Sequence, residues 1–174
     1  KWHLKSEPTG FNYWKILKGQ GEYYNPLIVD SAGESNVEGY VTDIITNLAI
    51  ETLENRDKDK PFAMLLHHKA PHRNWMPNLK YLGAFKGKKF PLPETFYDDY
   101  STRSLAAKES DMRIDNMFLT WDMKLRPGDI EQETGSGGSG QVSGMIRDSY
   151  REWMNDEQRK IWETYYDSIS ADFQ

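Results

Sequence analysis

A short apolar run followed at once by cationic side chains constrains this chain more than any other feature. Residues 61–75 read PFAMLLHHKAPHRNW, and the apolar part, residues 62–66, does not alternate with polar residues. This pattern predicts a strand that is buried on both faces, as in a mostly parallel sheet. Pro71 has no N–H group and disfavours a helical conformation at Ala70, so we expect the strand to end in a loop.

The cationic cluster after this run predicts an anion-binding site. Ligands of open α/β sheets bind beyond the carboxyl ends of the strands. The cationic and imidazole side chains at that position are those of His67, His68, Lys69, His72 and Arg73. A zinc site on a helix is a poor alternative, because Pro71 interrupts the helix that His68 and His72 would need.

Two helices are predicted by apolar periodicity and by capping residues. In the first, residues 42–56, Thr42 is expected to be the N-cap, and Asp43 lies where the helix dipole favours negative charge. This helix leads directly into the apolar run. A helix followed by an apolar strand is half of a βαβ unit. Asn155 and Gln158 have the spacing of a capping box and begin the second helix. We therefore expect an α/β fold with few strands, flanking helices and long loops.

Two shorter segments complete the outline. Residues 27–29 are interpreted as a short strand, and the polar residues 30–39 that follow allow a hairpin. Asp98 and Asp99 precede a polar helix that is expected over residues 101–115. Paired carboxylates can serve acid–base or metal chemistry, but Asp in the first turn of a helix is an ordinary match to the helix dipole. We favour the structural role.

The composition argues against several classes of function. The 174 residues carry a net charge of −5, whereas general affinity for nucleic acid needs a basic surface. No apolar run approaches the roughly 18 residues that a membrane-spanning helix needs. The chain has no cysteine and no G-x-S-x-G sequence, so a cysteine or serine nucleophile of those kinds has no support. The chain begins with Lys1 and not with Met, and we expect it to be part of a longer protein.

Several motifs resemble those of the type I, formylglycine-dependent sulfatases. Residues 1–4 (KWHL) resemble a segment that follows a glycine in those enzymes, and residues 67–73 (HHKAPHR) resemble their strand-end APH segment. KWHL alone is a weak signal, but the two motifs at this separation, together with the intervening pieces, are a strong one. Further matching pieces lie within residues 10–14, 19–26, 39–45, 92–100 and 157–167. They resemble the bacterial branch that acts on sulfated host glycans and includes N-acetylglucosamine-6-sulfatase-like enzymes.

The resemblance implies an alkaline-phosphatase-like α/β fold, in which residues 1–174 would be the central part of a single catalytic domain. Enzymes of this family cleave sulfate esters with a formylglycine made from Cys or Ser in a C/S-x-P-S/A-R motif. A calcium ion held by acidic residues and an Asn polarises the sulfate. That motif and the paired calcium ligands do not occur in this sequence. We therefore expect the parent protein to be a sulfuric ester hydrolase and this chain alone to be inactive.

The resemblance also implies roles for individual residues. Lys1 would bind a sulfate oxygen, and His3 would contact the formylglycine hydroxyls. His72 would bind sulfate and protonate the departing sugar oxygen. The residues that would shape the sugar pocket are His67, Arg73 and Trp75.

The implied partners are a sulfated sugar and the remainder of the parent sulfatase chain. No nucleic-acid or membrane partner is expected. The implied location is the bacterial periplasm or the cell exterior. A sheet without its neighbouring strands exposes edges that pair with other chains, so self-association of the fragment is also expected. Two alternatives stay open: a phosphate or phosphonate ester hydrolase of the same superfamily, and a non-catalytic glycan-binding module.

Overall fold

The computed structural model describes residues 2–73, 75–110 and 152–173. They fall into two compact units, one within Lys1–Asn78 and Asp148–Lys160 and the other within Leu79–Arg147 and Ile161–Gln174. The first unit contains the described strands and every described residue of the candidate site. The expectation of one catalytic domain stays a prediction.

A small antiparallel sheet lies in the first unit. Its strands are β1 (Lys15–Leu17), β2 (Leu27–Asp30) and β3 (Gly33–Asn36), in the order β1-β2-β3. β2 and β3 form a hairpin in which Asp30 lies opposite Gly33. The φ angle of Gly33 is 126°, a left-handed value that glycine adopts without strain. The predicted strand at residues 27–29 and the hairpin after it are confirmed.

The prediction of a buried parallel strand at residues 62–66 is wrong. The described backbone at these residues belongs to no strand, and the side chains of Phe62 and Leu65 are 55% and 63% exposed. A strand needs a neighbouring backbone to satisfy its N–H and C=O groups. No other part of the described chain supplies that neighbour, so the apolar run forms no strand and is largely exposed.

The first predicted helix is present as α1 (Val41–Asn55), with Asp43 in its first turn. The expectation that Thr42 is the N-cap is wrong, because Tyr40 occupies that position without a capping hydrogen bond from its side chain. The carbonyl oxygen of Tyr23 instead accepts a hydrogen bond from the backbone N–H of Val41 at 2.9 Å. A backbone carbonyl from outside the helix therefore satisfies one of its unpaired N–H groups.

The second unit has little regular structure among its described residues before the last helix. It contains 3-10 turns at Leu79–Tyr81 and Glu94–Tyr97 and a one-turn helix, α2 (Leu105–Lys108). A longer helix was expected over residues 101–115. Only α2 forms within the described part of that range, and residues 111–115 lie outside the described residues.

The last helix, α3 (Asp156–Phe173), begins at the predicted capping box. The backbone N–H of Asn155 donates to Gln158 Oε1, and the backbone N–H of Gln158 donates to Asn155 Oδ1, each at 2.9 Å. Both arms of the capping box are therefore formed. None of the described helices is long and apolar enough to cross a membrane. The small sheet and the few helices are those of an α/β fragment.

Candidate functional site

The segment that carries His3 is anchored beside the loop at residues 17–23. Trp2 precedes His3, and its backbone N–H donates a hydrogen bond to the carbonyl oxygen of Leu17 at 3.0 Å. His3 itself is exposed. Lys1, which is predicted to bind a sulfate oxygen, lies outside the described residues.

The turn that carries His72 is anchored on the same loop. The backbone N–H of His72 donates to the carbonyl oxygen of Lys69 at 3.0 Å, which closes the turn. The Lys69 ammonium donates to the carbonyl oxygen of Gln20 at 3.0 Å, and the Tyr23 hydroxyl donates to the carbonyl oxygen of His72 at 2.7 Å. The structure thus attaches the segments of His3 and His72 to one loop. The convergence of their side chains with that of Lys1 stays a prediction.

The imidazole of half-buried His72 has one nitrogen committed to the backbone. His72 Nδ1 makes a short contact with the carbonyl oxygen of Arg73. A carbonyl oxygen can only accept a hydrogen bond, so Nδ1 must carry the proton in this contact. The other nitrogen, Nε2, is then the atom that can exchange a proton or bind an anion when the ring is charged.

Lys69 does not contribute to an exposed anion site, although the sequence placed it among the cationic residues of that site. Its side chain is only 3% exposed, and its ammonium lies 4.8 Å from the centre of the Tyr23 ring. A buried ammonium is costly unless hydrogen bonds and the face of an aromatic ring replace its water. The carbonyl oxygen of Gln20 and the ring of Tyr23 supply that replacement.

A cluster of three tyrosines holds the backbone that follows Pro71. The hydroxyls of Tyr23, Tyr24 and Tyr40 each donate a hydrogen bond to one backbone carbonyl oxygen in that stretch. The acceptors are, in that order, His72 at 2.7 Å, Pro77 at 2.5 Å and Met76 at 2.7 Å. The Tyr40 ring centre lies 6.1 Å from that of Tyr23 and 5.3 Å from that of Tyr24. We refer to these three residues as the tyrosine cluster.

Tyr23 and Tyr40 of the tyrosine cluster stay protonated over the ordinary pH range. Burial, together with the neighbouring Tyr40, raises the pKa of Tyr23 to about 12, and burial also raises the pKa of Tyr40. Both hydroxyls can therefore act as donors to backbone carbonyls well above neutral pH. No pattern in the sequence predicts this cluster, although the pair Tyr23-Tyr24 in front of Asn25-Pro26 is a local sign of it.

The residues expected to shape a sugar pocket lie in two different settings. His67 lines an open apolar groove of about 520 Å³ between α1, the apolar run at residues 62–66 and the first part of the chain. Arg73 and Trp75 are exposed, and the Trp75 indole N–H donates to the carbonyl oxygen of Pro71 at 2.7 Å. This bond holds the indole against the turn that carries His72 and leaves part of the ring open to solvent.

The carboxylates of Asp98 and Asp99 are engaged in local contacts. Asp98 accepts hydrogen bonds from the backbone N–H of Tyr100 and from the Arg103 guanidinium, and these contacts hold its pKa below the usual range. Asp99 accepts from the backbone N–H of Ser101 at 2.8 Å. These contacts are structural, but the expected match to a helix dipole is wrong, because α2 begins only at Leu105 and the two carboxylates cap local turns instead. Within the described ranges, no group of three or more His, Cys, Asp or Glu residues could hold a metal ion.

Curated relatives of this chain are glycan sulfatases. The chain is 52% identical over 129 residues to the N-acetylglucosamine-6-O-sulfatase of Bacteroides thetaiotaomicron, a match that covers 72% of this chain and 23% of the relative. It is 29% identical over 98 residues to the N-acetylglucosamine-6-sulfatase of Homo sapiens, covering 53% of this chain and 18% of that one. No family model matches the chain.

A solved structure shows the same relationship in three dimensions. It is that of a protein in complex with its substrate D-glucosamine-2-N,6-O-disulfate. The match has a TM-score of 0.78 and 42% sequence identity, and it covers 99% of this chain and 34% of that protein. The chain thus spans about a quarter of its bacterial relative and about a third of the solved protein. The similarity in sequence and in fold shows that this chain belongs to the sulfatase family, as a segment of one of its members.

Proposed function

We propose that this chain is part of an enzyme that hydrolyses the sulfate esters of glycans, with a 6-O-sulfated glucosamine as the sugar. The observation that carries the proposal is the 52% identity to a bacterial N-acetylglucosamine-6-O-sulfatase. The similar solved protein, which binds a 6-O-sulfated glucosamine as its substrate, supports the same class of sugar. The activity belongs to the whole protein, because the chain spans only part of the length of these relatives.

His72 is the proposed general acid. The oxygen of a sugar is a poor leaving group, so its protonation as the bond to sulfur breaks lowers the barrier. The contact of Nδ1 with the Arg73 carbonyl leaves Nε2 as the nitrogen that can deliver this proton. Once it has given up the proton, the neutral ring can take another from water.

The other candidate residues are proposed to bind rather than to transfer protons. Lys1 binds a sulfate oxygen, and His3 contacts the hydroxyls of the formylglycine. Trp75 offers part of an indole ring to the apolar face of a sugar, in keeping with its exposure next to the His72 turn. The remaining sugar-binding residues in this proposal are His67 and Arg73.

The formylglycine and the calcium ion are proposed to be held by parts of the whole protein outside this chain. When bound, they supply the nucleophile and polarise the sulfate. The chain itself has no cysteine and no C/S-x-P-S/A-R sequence. We propose that the chain alone therefore does not turn over, that the whole domain has an alkaline-phosphatase-like fold, and that the protein is periplasmic or secreted.

The proposal is tested with the full-length protein that contains this chain. We expect release of sulfate from N-acetylglucosamine-6-sulfate, and a loss of about 100-fold or more in kcat for His72→Ala, in line with the usual contribution of a general acid. His68→Gln is the matched control and should retain most of the activity, since the proposed mechanism gives His68 no part in binding or proton transfer.

Two outcomes would overturn the proposal. Turnover of N-acetylglucosamine-6-phosphate, without turnover of the sulfate ester, would identify a phosphoester hydrolase. Binding of the sulfated sugar without turnover by the full-length protein would identify a glycan-binding module.

A further inference from the structure

The backbone of His72 is held at both its N–H and its carbonyl group. The N–H donates to the carbonyl oxygen of Lys69 at 3.0 Å, and the carbonyl oxygen accepts from the Tyr23 hydroxyl at 2.7 Å. With both peptide groups fixed, the direction in which the Cα–Cβ bond leaves the backbone is fixed as well. The position of the imidazole therefore depends on Lys69 and Tyr23.

Tyr23 is itself held from several sides. Its side chain is 1% exposed, and its ring centre lies 4.8 Å from the Lys69 ammonium and 6.1 Å from the centre of the nearly parallel ring of Tyr40. Lys69, Tyr23 and His72 therefore form a closed set in which each residue contacts the other two. A closed set of this kind restricts movement more than a single hydrogen bond does, because no member can shift without breaking two contacts.

The side chain of His72 depends on the same peptide groups. The carbonyl oxygen that contacts Nδ1 belongs to Arg73, one peptide beyond the carbonyl that Tyr23 holds. A rotation of the peptide between His72 and Arg73 would therefore change both the backbone bond to Tyr23 and the contact that orients the ring.

We infer that Tyr23 is a positioning residue, whose hydroxyl holds the turn so that His72 Nε2 faces the departing oxygen of the substrate. The inference deepens the proposed function and rests on it. Tyr23 does not touch the reacting atoms in this scheme, and it acts only through the backbone of His72. Misplacement of a catalytic group by a fraction of a bond length is enough to lower a rate substantially.

The tyrosine cluster provides a matched control within the same unit. Tyr24 is also almost fully buried, at 2% exposure, and its hydroxyl also donates to a backbone carbonyl. That acceptor belongs to Pro77, five residues beyond His72. Tyr23→Phe and Tyr24→Phe thus remove the same chemical group from equally buried positions, but only the first touches the backbone of His72.

The test compares two sulfate esters on the full-length protein. N-acetylglucosamine-6-sulfate has a poor leaving group that needs a proton, whereas 4-nitrophenyl sulfate has a good one that does not. For Tyr23→Phe we expect kcat on the sugar ester to fall about tenfold, which is about 1.4 kcal/mol in the barrier. On the aryl ester we expect a fall of less than about threefold, because its leaving group does not need the proton that His72 supplies. Tyr24→Phe should lower both rates by less than about threefold.

A second variant keeps the test decisive if Tyr23→Phe does not fold. Lys69→Met removes the ammonium from the Tyr23 ring and keeps a side chain of similar length. We expect the same selective loss on the sugar ester, at a smaller magnitude.

The inference and the proposed function can fail separately. If Tyr23→Phe lowers the rates on both esters in the same proportion, then Tyr23 is merely structural and the inference is wrong. If His72→Ala leaves the rate on the sugar ester unchanged, the proposed acid is wrong and the inference falls with it.

Discussion

The side-chain amides of Asn25 and Gln158 are paired in both directions. Asn25 Nδ2 donates to Gln158 Oε1 at 2.8 Å, and Gln158 Nε2 donates to Asn25 Oδ1 at 3.2 Å. Asn25 has a left-handed backbone with φ of 49°, a conformation that Asn adopts more readily than most residues. The pair joins the first turn of α3 to the residue that directly follows Tyr24, and it does so within one compact unit.

Because of this pair, we expect Gln158 to contribute more to the free energy of unfolding than neighbouring residues on the surface do. Gln158→Ala removes one arm of the capping box and leaves the amide of Asn25 without this partner. We expect the free energy of unfolding in urea to fall by about 1–3 kcal/mol. Glu157→Ala, at an exposed position in the same turn, should change it by less than about 0.5 kcal/mol. Equal effects of the two substitutions would contradict the structural role of the pair.

A second prediction concerns alkaline pH. The pKa of Tyr23 is raised to about 12, so its neutral form is favoured by folding. The stability that it contributes is fully present below the ordinary pKa of 10.0 and is lost as the pH rises through about 12. When the pH is raised, tyrosinate absorbance should therefore show a last phase near the raised pKa of Tyr23, and this phase should coincide with loss of the circular dichroism signal of the folded protein. Tyr23→Phe should lack this phase, and its survival in the variant would show that Tyr23 is not the group responsible.

A third prediction concerns acid pH and the sheet. The Lys15 ammonium lies 2.5 Å from Asp30 Oδ2, and this contact, with the backbone N–H of Ala32, lowers the pKa of Asp30. The contribution to stability is therefore present above the ordinary pKa of an Asp and is lost as the pH falls through the lowered value. At pH 7, Asp30→Asn should melt at a lower temperature than the unsubstituted chain. This difference in melting temperature should disappear in strong acid.

The control for this ion pair lies in the same hairpin. Glu34 pairs with Lys18 at 2.6 Å, but both side chains are more exposed than those of Lys15 and Asp30. Exposed pairs contribute little, so Glu34→Gln should change the melting temperature less than Asp30→Asn does. A difference for Asp30→Asn that persists in strong acid would argue against the ion pair as its cause.

A fourth prediction concerns the exposed apolar run at residues 62–66. Contiguous exposed apolar side chains favour association with another surface. We expect the 174-residue chain to self-associate in sedimentation velocity experiments, and we expect Leu65→Lys to weaken that association. Leu105→Lys, which changes a leucine that is equally exposed but lies outside the run, should leave it unchanged. A monomeric chain at all concentrations would contradict the prediction.

The parts of the fold that could be predicted from the sequence depend on local interactions. The spacing of apolar residues gave α1 to within one residue at each end, and Asn155 with Gln158 gave both bonds of the capping box. The polar, turn-like residues 30–39 predicted a hairpin after the strand at residues 27–29, and a hairpin forms over residues 27–36. In each case the residues that decide the structure lie within about fifteen positions of one another.

The parts that could not be predicted depend on contacts between distant segments. The run at residues 62–66 has the composition of a buried strand, but a strand forms only if another backbone lies beside it. The tyrosine cluster bonds to carbonyl oxygens that lie 36 to 53 positions further along the chain. Every residue has a carbonyl group, so no side-chain pattern marks which ones will accept. Lys69 was misplaced for a related reason, since its charge suggested exposure and only the fold supplies Tyr23 and Gln20.

Because the Lys69 amine is buried, its chemical reactivity depends on whether the turn beside it is closed or open. A reagent that acylates primary amines can reach the exposed lysines of the chain at once, but it can reach Lys69 only when the Tyr23 ring and the Gln20 carbonyl have moved away. The rate at which Lys69 becomes acylated would therefore measure how often this turn opens.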